Sequence, residues 1–201
     1  MSIRSKSLSF IELVLVIVVI GLLTTAALPR FIKIIQQAKQ AAIETLSGNF
    51  ATAVISSRVQ WEADGRPQTT NDNNVVNYDG SVFKLTASNA NQLMLSGYPF
   101  ALLASATTRV EQLTAQDCVD LIDGLLQNPP AATVLMADVE RGDQVFFVTV
   151  ESHQTNQRCR YYQLASASNN RFGAINVTAG HSFTYIPAQG RVEVNLHKKK
   201  D

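Results

Sequence analysis

Few residues in this sequence could do chemistry, and Glu12 is the most conspicuous of them. It sits in the stretch SLSFIELVLVIVVIGLLTTAALP, residues 7–29, where positions 8–28 carry no other charge. An acid near the centre of a membrane span costs roughly 2.5–3.5 kcal/mol, and nearer an interface somewhat less, so a residue of this kind points to a partner. The plainer reading is that Glu12 snorkels to the membrane face. Next come two thiols, Cys118 and Cys159, and three histidines, His153, His181 and His197. No Cys or acid stands at metal-ligand spacing from any histidine, and no Ser or Cys has a base and an orienting acid near it in sequence. The expectation is therefore no catalytic centre, no metal and no cofactor. The Asn- and Asp-rich segment 71–80 invites a calcium reading, but the EF-hand spacing would put Val75 at the first ligand position. Asp79-Gly80 reads better as a turn leading into a strand at 81–85.

The elements that must carry these residues start with the apolar stretch itself. Twenty-one residues at about 1.5 Å each cover about 30 Å, the thickness of a bilayer's hydrocarbon core. A globular helix is apolar along one stripe, whereas this one is apolar all round. It is a membrane span, a helix that packs on copies of itself, or both in turn. Arg4 and Lys6 precede it, which places the amino terminus inside and the rest of the chain outside. A secretory signal peptide is the rival: its apolar region is shorter, and Thr25-Ala26-Ala27 is a weak cleavage site beside the misplaced acid Glu12. Both cysteines then lie in an oxidising compartment, where two thiols most simply make a disulfide. Free thiols or a metal pair are the alternatives. A loop of about 40 residues closed this way gains about 3–4 kcal/mol in the chain-entropy model. The full chain has 201 residues and a net charge of +1, and without Arg4 and Lys6 it has 15 basic against 16 acidic residues. A near-neutral remainder gives no electrostatic case for nucleic acid.

The amino terminus resembles that of type IV prepilins: a short basic leader, a cut, and an apolar helix whose fifth residue is Glu. Glu12 in that position sets the cut between Ser7 and Leu8. Gly21 and Pro29 fall at the distances where the family favours Gly and Pro. The residue before the cut is usually Gly and here is Ser7, small enough for a pocket built for Gly; the residue after it is usually Phe and here is Leu8. The resemblance implies cleavage by prepilin peptidase, methylation of the new terminus on Leu8, and pairing of Glu12 with a neighbouring subunit's amino terminus during assembly. It also implies that the helix around Gly21 and Pro29 can unwind on entering a filament. Independently, Pro29 removes the hydrogen bond to the Thr25 carbonyl, so a kink is expected there.

Residues 30–63 change to an amphipathic pattern. Phe31, Ile34, Ile35, Ala38, Ala42 and Leu46 recur at steps of three and four, and Phe50, Ala53 and Val54 continue the stripe. The two halves predict one helix of about 55 residues, on the order of 80 Å, ending at the breakers Asp64-Gly65 and Arg66-Pro67. Residues 89–98 read as a loop or short helix. A second helix is expected over 114–126, with Thr114 as its cap, Asp117 three residues on, and Leu113, Cys118, Leu121, Ile122 and Leu125 on one face. Pro129-Pro130 closes it. Strand signals at 144–151, 158–164, 182–186 and 191–196 make two hairpins. The predicted class is α+β, a long amino-terminal helix packed against an antiparallel sheet of about four strands, with the disulfide joining the second helix to the strand carrying Cys159. In that sheet one of Tyr161 and Tyr162 faces the core and the other faces out. Lys198, Lys199 and Lys200 form a solvated tail.

The expected organisation is a leader at 1–7, a transmembrane and filament-core half-helix at 8–29, an amphipathic half at 30–63 and a head at 64–201 with a disulfide-bounded region 118–159. Within the family, Asp117-Cys118 and a Leu-rich helix ending Leu126-Gln127-Asn128-Pro129-Pro130 are most similar to the pilins of mannose-sensitive haemagglutinin (MSHA) pili, and the chain's length suits a minor subunit. The implied partners are other pilin subunits, prepilin peptidase, the inner-membrane assembly machinery, and the membrane before assembly. The implied location is the inner membrane of a Gram-negative-type cell, carboxyl terminus in the periplasm, and then an extracellular fibre for adhesion or motility. A pseudopilin of type II secretion shares this amino terminus. A DNA-uptake pilin would want a basic strip. A signal-anchored periplasmic binding domain or enzyme is the alternative of another class.

Overall fold

The structure is a computed structural model that describes residues 9–70, 72–153, 156–169 and 174–197. The chain forms two compact units, Met1–Lys39 and Gln40–Asp201. A single helix, α1 (Phe10–Ala63), runs from one into the other and passes through Gly21 and Pro29 without a break. It stops where Gly65 takes φ 81°. The N–H of Arg66 then reaches the Trp61 carbonyl and that of Gly65 the Glu62 carbonyl, the paired bonds of a Schellman cap, which a glycine at this position makes possible.

In the second unit the chain continues through β1 (Asn74–Tyr78), β2 (Ser81–Leu85), β3 (Pro99–Leu102), α2 (Ala115–Leu125), β4 (Ala132–Thr133), α3 (Met136–Arg141), β5 (Phe146–His153), β6 (Asn156–Gln163), β7 (Ser168–Asn169), β8 (Ile175–Asn176), β9 (Ser182–Ile186) and β10 (Arg191–Asn195). The larger sheet has the order β10-β9-β6-β5-β4; its first four strands are antiparallel, and the two-residue β4 adds in parallel. These four strands are the two hairpins expected from the sequence, and the class is α+β as expected. A three-stranded sheet, β1-β2-β3, was foreseen only at β2. Its first hairpin turns on Asp79 and Gly80, both at positive φ, as a two-residue type I′ turn requires.

The core of this unit is aromatic. Phe50 on α1 lies 5.8, 5.7 and 5.3 Å from the rings of Tyr161, Phe183 and Tyr185, and Tyr161 stacks on Phe183 at 4.5 Å. The two phenols are fully buried and each has an acceptor: Tyr161 Oη donates to the Cys118 carbonyl and Tyr185 Oη to the Pro99 carbonyl, both at 2.7 Å. Burial pushes both phenols well above their usual range, with the charge of Asp123 adding to the effect at Tyr161. They are neutral donors that fix how the sheet face meets α2 and β3.

The buried stripe of α1 differs from the one the periodicity suggested. It consists of Ile43, Ser47, Phe50, Ala53, Val54, Ser57 and Trp61, of which Phe50, Ala53 and Val54 are as expected. Leu46 is half-buried and Ala42 is exposed, as are Phe31, Ile34, Ile35 and Ala38 in the first unit. Steps of three and four define a stripe only to within one residue, and Ser47 and Ser57 hide their polarity by donating to the carbonyls of Glu44 and Val54. Tyr162 is also not outward in effect. It points away from Tyr161, yet it is 7 % exposed, because Arg160 lies 5.8 Å over its ring and Glu151 stands beside its hydroxyl. At the far end of α1, Gly190 takes φ 64°, and a Cβ there would lie 2.0 Å from Tyr98. Only glycine lets the β9–β10 turn close on that ring.

Candidate functional site

The sequence places its unusual chemistry in the first turns of α1, and the structure leaves that surface uncovered. Leu, Ile, Val and Ala make up most of residues 10–29, which stay helical through Gly21 and Pro29, and every described large apolar side chain of this stretch, from Phe10 to Leu28, is exposed. The helix is long and apolar enough to cross a membrane. Its hydroxyls are satisfied from within: Thr24 donates to the Ile20 carbonyl at 2.7 Å and Thr25 to the Leu22 carbonyl at 2.8 Å. Such back-bonding leaves neither threonine hydroxyl in need of water, as a helix in an apolar surround requires.

Glu12 lies in the first turn of α1. The amino-terminal end of a helix dipole favours a carboxylate there, and Ser9-Phe10-Ile11-Glu12 has capping-box spacing. Even so, Glu12 makes no ion pair or side-chain hydrogen bond with any described residue, and its side chain is exposed. A Cβ at Gly21 would touch nothing within 4 Å, so nothing packed beside this single chain calls for glycine. Ser7 and Leu8, the residues flanking the expected cut, lie outside the described residues.

In the second unit, Cys118 and Cys159 form the disulfide, with Cα atoms 5.6 Å apart, tying α2 to β6. Both are fully buried, as expected of a structural bridge. Beside it sits a feature not foreseen as a network. Thr114 and Asp117 make a complete capping box at the start of α2. The Asp117 carboxylate also accepts from Ser105 Oγ at 2.5 Å and from Thr107 Oγ1 at 2.7 Å, while the buried Lys84 ammonium donates to the carbonyls of Ser105 and Thr107. The sequence signalled the cap, but not the distant loop that converges on it.

Burial pushes the Asp117 carboxyl upward, yet the hydrogen bonds from Ser105, Thr114 and Thr107 outweigh it and hold the pKa below its ordinary 3.8. A carboxylate with a depressed folded pKa contributes stability that is fully present above the unfolded value and lost as pH falls through the folded one. Asp117→Ala keeps the Thr114 cap but removes the returning half of the capping box, leaving the Thr114 N–H and three hydroxyls without their acceptor, at an expected cost of about 2–3 kcal/mol. The difference between the denaturant midpoints of the two proteins should be largest at neutral pH and begin to narrow once pH falls below about 4. A constant difference across that range would rule the network out as the source.

Among the described residues the histidines gather no site. His181 Nδ1 accepts from the backbone N–H of His197 at 3.0 Å, and among the described residues no group of three or more His, Cys, Asp or Glu could hold a metal ion. Of His153 only the backbone, at the end of β5, is described. Glu151 bridges Arg158 and Arg160 on the outer sheet face, at 3.0 and 3.1 Å.

No protein-family model matches the chain, and no solved structure matches it. Over 57 residues, 28 % of the chain, it is 39 % identical to the type IV narrow pilus major component PilA5 of Thermus thermophilus. The match takes in 49 % of that protein, so the chain spans about half the length of the curated relative it matches. An exposed apolar helix with one acid in its first turn and a disulfide-linked α+β unit thus stand beside this partial similarity to a type IV pilus component.

Proposed function

We propose that this chain is a non-enzymatic structural subunit of a type IV pilus, a minor pilin of the MSHA type. It is held in the inner membrane as a precursor and then built into an extracellular filament used for adhesion or motility. The observation that carries this is the first half of α1: apolar on every side, with one carboxylate in its first turn that no described residue satisfies. In lipid such a surface is content. Out of lipid it needs copies of itself or of related subunits. Glu12 then has a role that a simple anchor would not give it. Removal of residues 1–7 creates an ammonium on Leu8, methylated in assembled subunits, and Glu12 of an entering subunit pairs with the terminus of its neighbour. Each charge alone in an apolar core is costly, and the pair much less so.

The minor role rests on the chain's length and on Leu8 where the family usually has Phe. The MSHA assignment rests on the α2 segment from Asp117 to Pro130. A pseudopilin of type II secretion is the second reading; the length and the cysteine pair favour the pilus. Shearing cells and separating filaments from membranes tests the proposal. The chain is expected in the filament fraction as a small share of total pilin, and its confinement to membranes would contradict the assignment.

A further inference from the structure

The head holds a cavity of about 300 Å³ that the filament role does not use, at the low end of the range for small-ligand sites, ~300–1,000 Å³. Its floor is apolar and belongs to the core: Leu85, Phe100 and Val110 are at most 4 % exposed, with Met94 beside them. Its rim is polar and charged, with Asp72, Arg109 and Glu111 all lining it. Hydrogen bonds set one wall in place. Asn89 Nδ2 donates to Gln92 Oε1 and Gln92 Nε2 to Glu111 Oε1, each at 2.7 Å. Asn156 Nδ2 anchors the Gln92 carbonyl at 3.1 Å. Glu111 is thus held by one oxygen, with the other unused among the described residues.

The charges on this rim do not neutralise each other. Neither Asp72 nor Arg109 makes an ion pair or a side-chain hydrogen bond with any described residue, although both line the same cavity. An exposed guanidinium with no partner among the described residues and two carboxylates, all lining one cavity with an apolar floor, match a molecule that carries both charges itself. We propose that this cavity binds a zwitterion of amino-acid size, an α-amino acid with an apolar side chain. Arg109 takes its carboxylate, for which a guanidinium offers two parallel N–H donors. Asp72 and Glu111 take its ammonium. Leu85, Met94 and Phe100 receive the side chain. A neutral sugar would leave all three charges unanswered. The inference stands apart from the filament role, since a chain that never left the membrane would keep the same cavity.

Calorimetric titration of the full-length chain in detergent with leucine, N-acetyl-leucinamide and glucose tests it. Saturable leucine binding is expected, at least tenfold weaker for N-acetyl-leucinamide, which lacks both charges, and negligible for glucose. Arg109→Ala and Glu111→Gln, both at the cavity rim, should each weaken leucine binding at least tenfold, and Arg191→Ala, outside the cavity, should not change it. No saturable leucine binding, equal binding of the uncharged analogue, or glucose binding as tight as leucine would each overturn the proposal.

Discussion

Glu12→Ala is expected to leave membrane insertion unchanged and to cut incorporation into filaments at least tenfold. Insertion depends on apolar length, which the substitution increases. Incorporation depends on what happens to the ammonium at the neighbour's amino terminus. Removing one partner of a buried ion pair leaves the other uncompensated, at about 3–5 kcal/mol, and each 1.4 kcal/mol is a factor of ~10 in an equilibrium. Glu12→Gln separates charge from shape. It keeps the size and a hydrogen-bonding tip, so a loss equal to that of Glu12→Ala assigns the effect to charge. Normal filament levels of Glu12→Ala, measured against membrane levels in the same cells, would remove the pairing from the account.

Phe50→Ala carries the largest expected effect on the head. Phe50 is fully buried and its ring meets Tyr161, Phe183 and Tyr185 within 6 Å. The three residues sit on two neighbouring strands, β6 and β9, so the site cannot collapse by moving one side chain. Phe→Ala in a core costs about 3–5 kcal/mol, a large part of the ~5–15 kcal/mol that stabilises a domain. Ile55→Ala is the control, because Ile55 is 56 % exposed on the same helix and exposed changes cost about 0.5 kcal/mol or less. Equal unfolding midpoints for the two variants would mean that α1 does not pack on the sheet as described.

The parts of the fold that could be read from sequence are those held by local chemistry. The Gly65 stop of α1, the Thr114–Asp117 cap and the Asp79-Gly80 turn each depend on a few adjacent residues, and the two long hairpins alternate over enough positions to stand out. β1 and β3 did not stand out because the strands are short and polar residues, Asn74 and Lys84, share the burial of Val76, Phe83, Leu85 and Phe100. Asn74 is buried since its amide donates to the Thr86 carbonyl and accepts from Gln68, both distant or irregular in sequence. Pro99 opens β3 and reads as a break, although it is tolerated at the start of an edge strand. α3 is six residues long, too short for periodicity to show. Tyr162 was misjudged because alternation gives the direction of a side chain and not what lies over it; Arg160 and Glu151 supply the cover.

The candidate site divides the same way. Glu12 stands out from composition alone, as a lone acid in an apolar run, and the cysteine pairing follows from compartment. The Asp72, Arg109 and Glu111 cavity could not be found in the sequence, because its lining comes from residues 72–74, 85–94, 100 and 108–111, four segments that only the fold brings together. Whether Glu12 meets a neighbour's amino terminus turns on processing between Ser7 and Leu8. The most direct measurement is therefore mass spectrometry of the chain's amino-terminal peptide from a sheared-filament fraction. A peptide beginning at methylated Leu8 is expected; an intact leader beginning at Met1, with the protein retained in membranes, would contradict filament assembly through Glu12 and leave an anchored domain.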